Sequence, residues 1–102
     1  MERVFIVERY VPGLDEAAAG RAAAALARAA AELRSEGGPI RWLGSVGLPS
    51  EETDCALFVA ASADLVDQAA ARAGLAYERI VSGIAVRPAT VGRLAARGEA
   101  AI

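Results

Sequence analysis

The chain has 102 residues, 11 basic and 13 acidic side chains, a formal net charge of −2 and 55% hydrophobic residues, which is the composition of one globular domain. It holds no histidine, no lysine and a single cysteine. That excludes imidazole catalysis and ligation, Schiff-base chemistry, the phosphate-loop lysine, an intrachain disulfide and a cysteine-cluster zinc site.

Arg3 to Tyr10 reads as a strand, because Val4-Phe5-Ile6-Val7 is an unbroken β-branched and aromatic run. Pro12-Gly13 predicts a turn. Asp15 is the expected N-cap of a long helix reaching about Glu36. Leu26 and Leu33 form its apolar face with Ala22, Ala25, Ala29 and Ala30. Arg28 and Glu32, four apart, are expected to pair on the solvent side. Gly20 is a weak point of this helix, and Gly37-Gly38-Pro39 stops it.

Ile40 to Leu48 is the second predicted strand. Gly44 and Gly47 thin it and Pro49 ends it, as suits an edge strand. Pro49 to Glu52 is a polar connection. Asp54 to Ala61 is the third strand, with Cys55-Ala56-Leu57-Phe58-Val59 almost wholly apolar. Ser62 is expected to cap a second helix that buries Leu65, Val66, Ala69, Ala70 and Ala73 and stops at Gly74. Glu78 to Arg87 is the fourth strand, ended by Pro88. Residues 89–102 are expected to form a short helix capped by Thr90, or to fray.

The order βαββαβ predicts an α+β, ferredoxin-like sandwich over residues 1–88, with residues 89–102 as a tail. Its antiparallel sheet takes the order 4-1-3-2, with both helices on one face. The first and third strands then lie at the centre, and they are the two with unbroken apolar runs. Two helices cover only one face, yet these strands are apolar on both. Face-to-face homodimerisation into an α+β barrel is the expected cover, with the tail folding back as the rival.

Val4-Phe5-Ile6-Val7-Glu8-Arg9-Tyr10-Val11-Pro12-Gly13-Leu14 resembles the opening of a small bacterial family of domains of unknown function. The resemblance continues through Arg41-Trp42-Leu43-Gly44-Ser45, Cys55 to Ser62, Ala73-Gly74-Leu75 and Glu78-Arg79-Ile80. It implies a ferredoxin-like, dimeric protein, and one member of that family is described as nickel-binding. The family commonly carries histidine where this chain has Gly44, so the nickel label transfers poorly.

Four charges converge in the expected topology. The end of the first strand, Glu8 and Arg9, lies beside the start of the fourth, Glu78 and Arg79. They are either ordinary exposed ion pairs or a carboxylate with an arginine anchor. Alternation sends Glu8 to the face of Ile6 and Tyr10, and Arg9 to the face of Phe5 and Val7. Glu8, Tyr10 and Arg9 are the candidate catalytic groups. Trp42, Ser45, Glu78 and Arg79 are the candidate ligand-binding groups. Trp42 is otherwise a core or interface residue, Ser45 has no base beside it, and Cys55 is expected to be a buried thiol. Glu51, Glu52 and Asp54 read as a solvated hairpin, since their spacing fits no calcium loop. No cofactor or metal site is expected.

The expected function is a small-molecule-binding homodimer, with a cofactor-free cyclase, isomerase or oxygenase as its catalytic version. A divalent-metal protein and a purely structural or regulatory dimer are the alternatives. The expected partners are a second copy and a small organic molecule. The acidic balance argues against nucleic acid, and the interrupted alanine run Ala17 to Ala31 argues against a membrane. The absence of a leader-like segment predicts a cytoplasmic protein.

Overall fold

The computed structural model describes residues 3–88 and Gly92. In chain order the elements are β1 (Arg3–Tyr10), α1 (Glu16–Ser35), β2 (Ile40–Leu48), a 3-10 turn (Pro49–Glu51), β3 (Thr53–Ala60), α2 (Ala63–Arg72) and β4 (Arg79–Gly83). The helix or frayed end expected for residues 89–102, with its cap at Thr90, lies outside the described residues apart from Gly92.

Local chemistry sets each boundary. The Asp15 carboxylate accepts from the Ala18 amide at 2.8 Å and opens α1. Ser62 Oγ does the same for the Leu65 amide at 3.4 Å and opens α2. Both helices close in the same way. Gly37 (φ +95°) and Gly74 (φ +71°) take the left-handed conformation that an L side chain resists. The amides of Gly38 and Leu75 then reach back to the carbonyls of Leu33 and Ala70, at 2.9 and 3.0 Å. α1 runs unbroken through Gly20.

The four strands form one antiparallel sheet in the order β2-β3-β1-β4, which is the expected order from the other edge. Phe5 and Val7 of β1, and Ala56, Phe58 and Ala60 of β3, point to one side. There they meet Leu26, Ala29, Ala30 and Leu33 of α1, and Val66 and Ala69 of α2. The alanines on both helices let backbone approach the sheet closely, so a core with few large side chains still packs densely. The architecture is α+β, a four-stranded sheet with two helices on one face, consistent with a ferredoxin-like fold.

Two expectations need correction. β4 stops at Gly83 rather than Arg87. Its partner is β1, and their pairing ends at Val4 opposite Gly83. Ile84 and Val86, beyond that pairing, are left exposed. Arg28 and Glu32 do not pair among the described residues. Glu32 lies 3.8 Å from Arg72 of α2, which also makes two 2.6 Å bonds to Glu36. The tertiary neighbour supersedes the helical one. Those two bonds hold the Glu36 carboxyl below the usual carboxylate range.

Candidate functional site

Alternation divides the candidate residues between the two faces of the sheet, as the strand pattern predicts. Glu8, Tyr10 and Arg79 lie on the open face. Arg9, Trp42 and Ser45 lie on the helix face. No single site gathers them all.

On the open face, Glu8 sits directly opposite Arg79 in the β1–β4 register. Arg79 donates from Nε and Nη2 to the two Glu8 oxygens, at 2.8 and 3.3 Å. The carboxylate raises the guanidinium pKa, first through these bonds and then through its charge. Glu78 serves the backbone instead. Its carboxylate accepts from the Tyr10 amide at 2.7 Å, and its own amide donates to the Glu8 carbonyl at 2.8 Å. The Tyr10 hydroxyl donates to Glu52 at 3.2 Å, and the nearby Glu52 charge raises the phenol's pKa. Glu52 also accepts from the Gly13 amide at 2.6 Å, which ties the β1–α1 turn to the β2–β3 connection. Glu8, Glu78 and Tyr10 thus hold the end of the sheet together, and their polar atoms are engaged in doing so.

The remainder of this face is apolar. Val4 and Ile6 of β1 register with Val59 and Leu57 of β3, and Val81 of β4 lies opposite Ile6. Cys55, opposite Glu8, belongs to the same face. Burial pushes its thiol pKa up, with the charges of Glu8 and Asp54 adding to the effect. Val46 and Leu48 of β2 are exposed beside it. The face is charged differently at its two ends. An open cleft of about 510 Å³ at one end brings Arg41 and Arg87 to this face, while Arg3 at its border turns over the Phe5 ring on the helix side. Glu8, Glu52 and Glu78 gather at the other.

On the helix face, Arg9 enters a pairing that the sequence reading missed. Its Nη2 donates to Asp54 Oδ2 at 2.8 Å, with the Asp54 side chain 1% exposed and that of Arg9 11%. Arg9 and Asp54 are register partners on the two central strands, one step from the end of the sheet. Asp54 is therefore a buried carboxylate, not part of a solvated hairpin. The legible signal was its place two residues from Ala56 and four from Phe58, on the face of the core. Arg9 Nε and Asp54 Oδ1 are buried with no hydrogen-bond partner among the described residues. Trp42 and Ser45 belong to the same region of β2, where Trp42 Nε1 donates to Ser45 Oγ at 3.2 Å. Together with Asp54 they line a cleft of about 250 Å³ beneath the first turns of α1.

Between Trp42 and Gly44 the β2 register slips by one residue at Leu43, and Gly44 has φ +147°. An L side chain at Gly44 would be strained, so this backbone opposes a histidine there. Among the described residues no group of three or more His, Cys, Asp or Glu side chains is arranged to hold a metal ion. No helix among them is long and apolar enough to cross a membrane.

The chain matches no family model and no curated protein. It is similar to the crystal structure of SCO4226 from Streptomyces coelicolor A3(2), with a TM-score of 0.63 at 16% identity, over 82% of this chain and 99% of the other. At that identity the likeness is one of fold.

Proposed function

We propose that the protein is a homodimer that packs its open sheet face against a second copy and binds a small organic molecule between the two sheets. The observation that carries this reading is the apolar centre of that face. Val4, Ile6, Leu57 and Val81, half-buried around a buried Val59, form a contiguous aliphatic patch with no helix on it among the described residues. Patches of this kind on soluble chains mark interaction surfaces. A second copy offers the same patch, and two such faces pack as a sheet sandwich about 10 Å thick.

Charge complementarity favours a copy of this chain and selects its orientation. A two-fold axis lying in the interface and crossing the strands sets the arginine end of one sheet against the glutamate end of the other. An axis along the strands would set like charges together. The interior would be mainly aliphatic, with the Glu8–Arg79 pair and Tyr10 as its few polar groups, a lining suited to a small apolar ligand. Since Arg79 and Glu52 engage Glu8 and Tyr10, these groups favour orienting a ligand over transferring protons.

Leu57→Arg tests the reading without touching the helix-side core. It would bury an unpaired charge in the interface, at a cost of about 3–5 kcal/mol. The expected result is a folded monomer in analytical ultracentrifugation that no longer takes up the apolar dye 8-anilinonaphthalene-1-sulfonate, whereas the parent dimer does. A Leu57→Arg protein that remains dimeric, or one that binds the dye equally well, would refute it.

A further inference from the structure

We propose that the cleft between α1 and β2 is a second ligand site, and that it binds a small, flat, uncharged molecule bearing a carboxamide or lactam group. It is independent of the dimer, because it opens on the helix side of the sheet.

Asp54 Oδ1 is the observation that leads to it. This oxygen belongs to a carboxylate 1% exposed and has no partner among the described residues. Leaving such an acceptor unpaired is costly, so buried groups of this kind are nearly always satisfied. The oxygen borders the cleft, since a methyl group placed on Gly47 would sit 3.9 Å from it. Across the cleft, Ser45 Oγ accepts from Trp42 Nε1, which leaves its O–H free to donate. One acceptor and one donor, on diagonal neighbours of the β2–β3 register, are the complement of an amide's N–H and C=O.

The charge of the ligand follows from the same atoms. Arg9 already neutralises Asp54 at 2.8 Å, so the floor of the cleft carries no net charge. An anion would meet Asp54 and the Glu16 carboxylate that lines the cleft. A cation would meet only the exposed, solvent-screened Glu16 at the rim, because Asp54 on the floor is already paired, and would lose its hydration there. A neutral amide meets neither cost. The remaining walls are Ala19, Gly20, Ala23 and the Trp42 ring, which suit a flat apolar body.

Gly20 and Gly47 keep the space open. Gly20 is helical, and a Cβ on it would meet nothing within 4 Å. Gly47 would place a Cβ at 3.5 Å from Leu14, an ordinary contact. Neither has the positive φ that would explain glycine on backbone grounds. Glycine inside a helix is unfavourable, so its presence in α1 at the cleft wall fits a requirement for room.

The test uses the full chain and the single tryptophan, which gives one indole N–H resonance in a ¹H–¹⁵N spectrum. The probes are benzamide, benzoate and benzamidinium, alike in size and different in charge. Benzamide is expected to shift the Trp42 indole peak saturably at millimolar concentration, with benzoate and benzamidinium each at least about tenfold weaker. Ser45→Ala is expected to weaken benzamide about fivefold. Gly20→Leu, which fills the cleft with a better helix former, is expected to abolish the shift while the remaining peaks hold and the melting temperature does not fall. The absence of a saturable shift would overturn the proposal. So would equal binding of the three probes, or a shift that survives Gly20→Leu.

Discussion

At the residue scale, the Arg9–Asp54 pair dominates. A buried ion pair is weak evidence of net stability, because desolvation offsets its attraction. Removing one partner is another matter. Asp54→Ala leaves the Arg9 guanidinium 11% exposed without its counter-charge. Urea denaturation is expected to show a loss of about 3–5 kcal/mol for Asp54→Ala, and a much smaller loss for Arg9→Met combined with Asp54→Leu. A double variant as unstable as the single one would mean that the pair stabilises outright. Cys55 gives a second prediction. Desolvation, with Glu8 and Asp54 adding to it, holds the thiol protonated above its ordinary range. The proton is bound more tightly in the folded state, so its contribution to stability is present below the ordinary thiol range and is lost as pH rises through the folded value. Iodoacetamide at pH 8 should therefore label Cys55 at less than about a tenth of the rate of free cysteine. The expected buried thiol is in fact half-buried, and labelling at the free rate would contradict its raised pKa.

At the element scale, the glycines separate into two physical classes. Gly20 sits in the second turn of α1 with open space around its missing side chain. Gly20→Ala is expected to raise stability by about 0.5–1 kcal/mol, read as a higher melting temperature. Gly37 and Gly74 close the helices at φ +95° and +71°. Alanine at either is expected to cost about 1 kcal/mol through left-handed strain, with no change in the sheet. A stabilising Gly74→Ala would show that the α2 terminus refolds around the change.

These elements were the legible part of the sequence. The runs Val4–Val7 and Cys55–Val59, the caps Asp15 and Ser62, and the glycine stops follow from local chemistry that acts within a few residues. The strand order followed from connection rules once those elements were in place. The obscure parts depend on distant partners. Asp54 looked solvated because its neighbours Glu51 and Glu52 are polar, and only its register with Arg9, 45 positions away, shows its burial. Arg28 and Glu32 had ideal helical spacing, but Arg72 from another helix takes the glutamate. β4 carried apolar residues past Gly83, yet its ladder with β1 ends at the Val4–Gly83 pair, which only the tertiary register shows. The candidate residues were legible as types. Their division between two faces was read in part, from the alternation of Glu8 and Arg9, while the cleft that joins Trp42 and Ser45 to Asp54 needed the packing of α1.

At the scale of the whole molecule, the sheet has one face committed to the helices and one that is apolar without an intramolecular cover among the described residues. The arginine and glutamate ends of that face make electrostatic attraction part of the proposed assembly. Dimer dissociation should therefore strengthen with salt, as screening shortens the reach of those charges to about 8 Å at physiological ionic strength. The aliphatic centre should still hold the copies together at high salt, because hydrophobic burial is not screened. Sedimentation equilibrium of the purified chain at micromolar concentration tests the central claim most directly. The account predicts twice the chain mass for the parent protein and a single chain mass for Leu57→Arg. A parent protein that sediments as a monomer would contradict it.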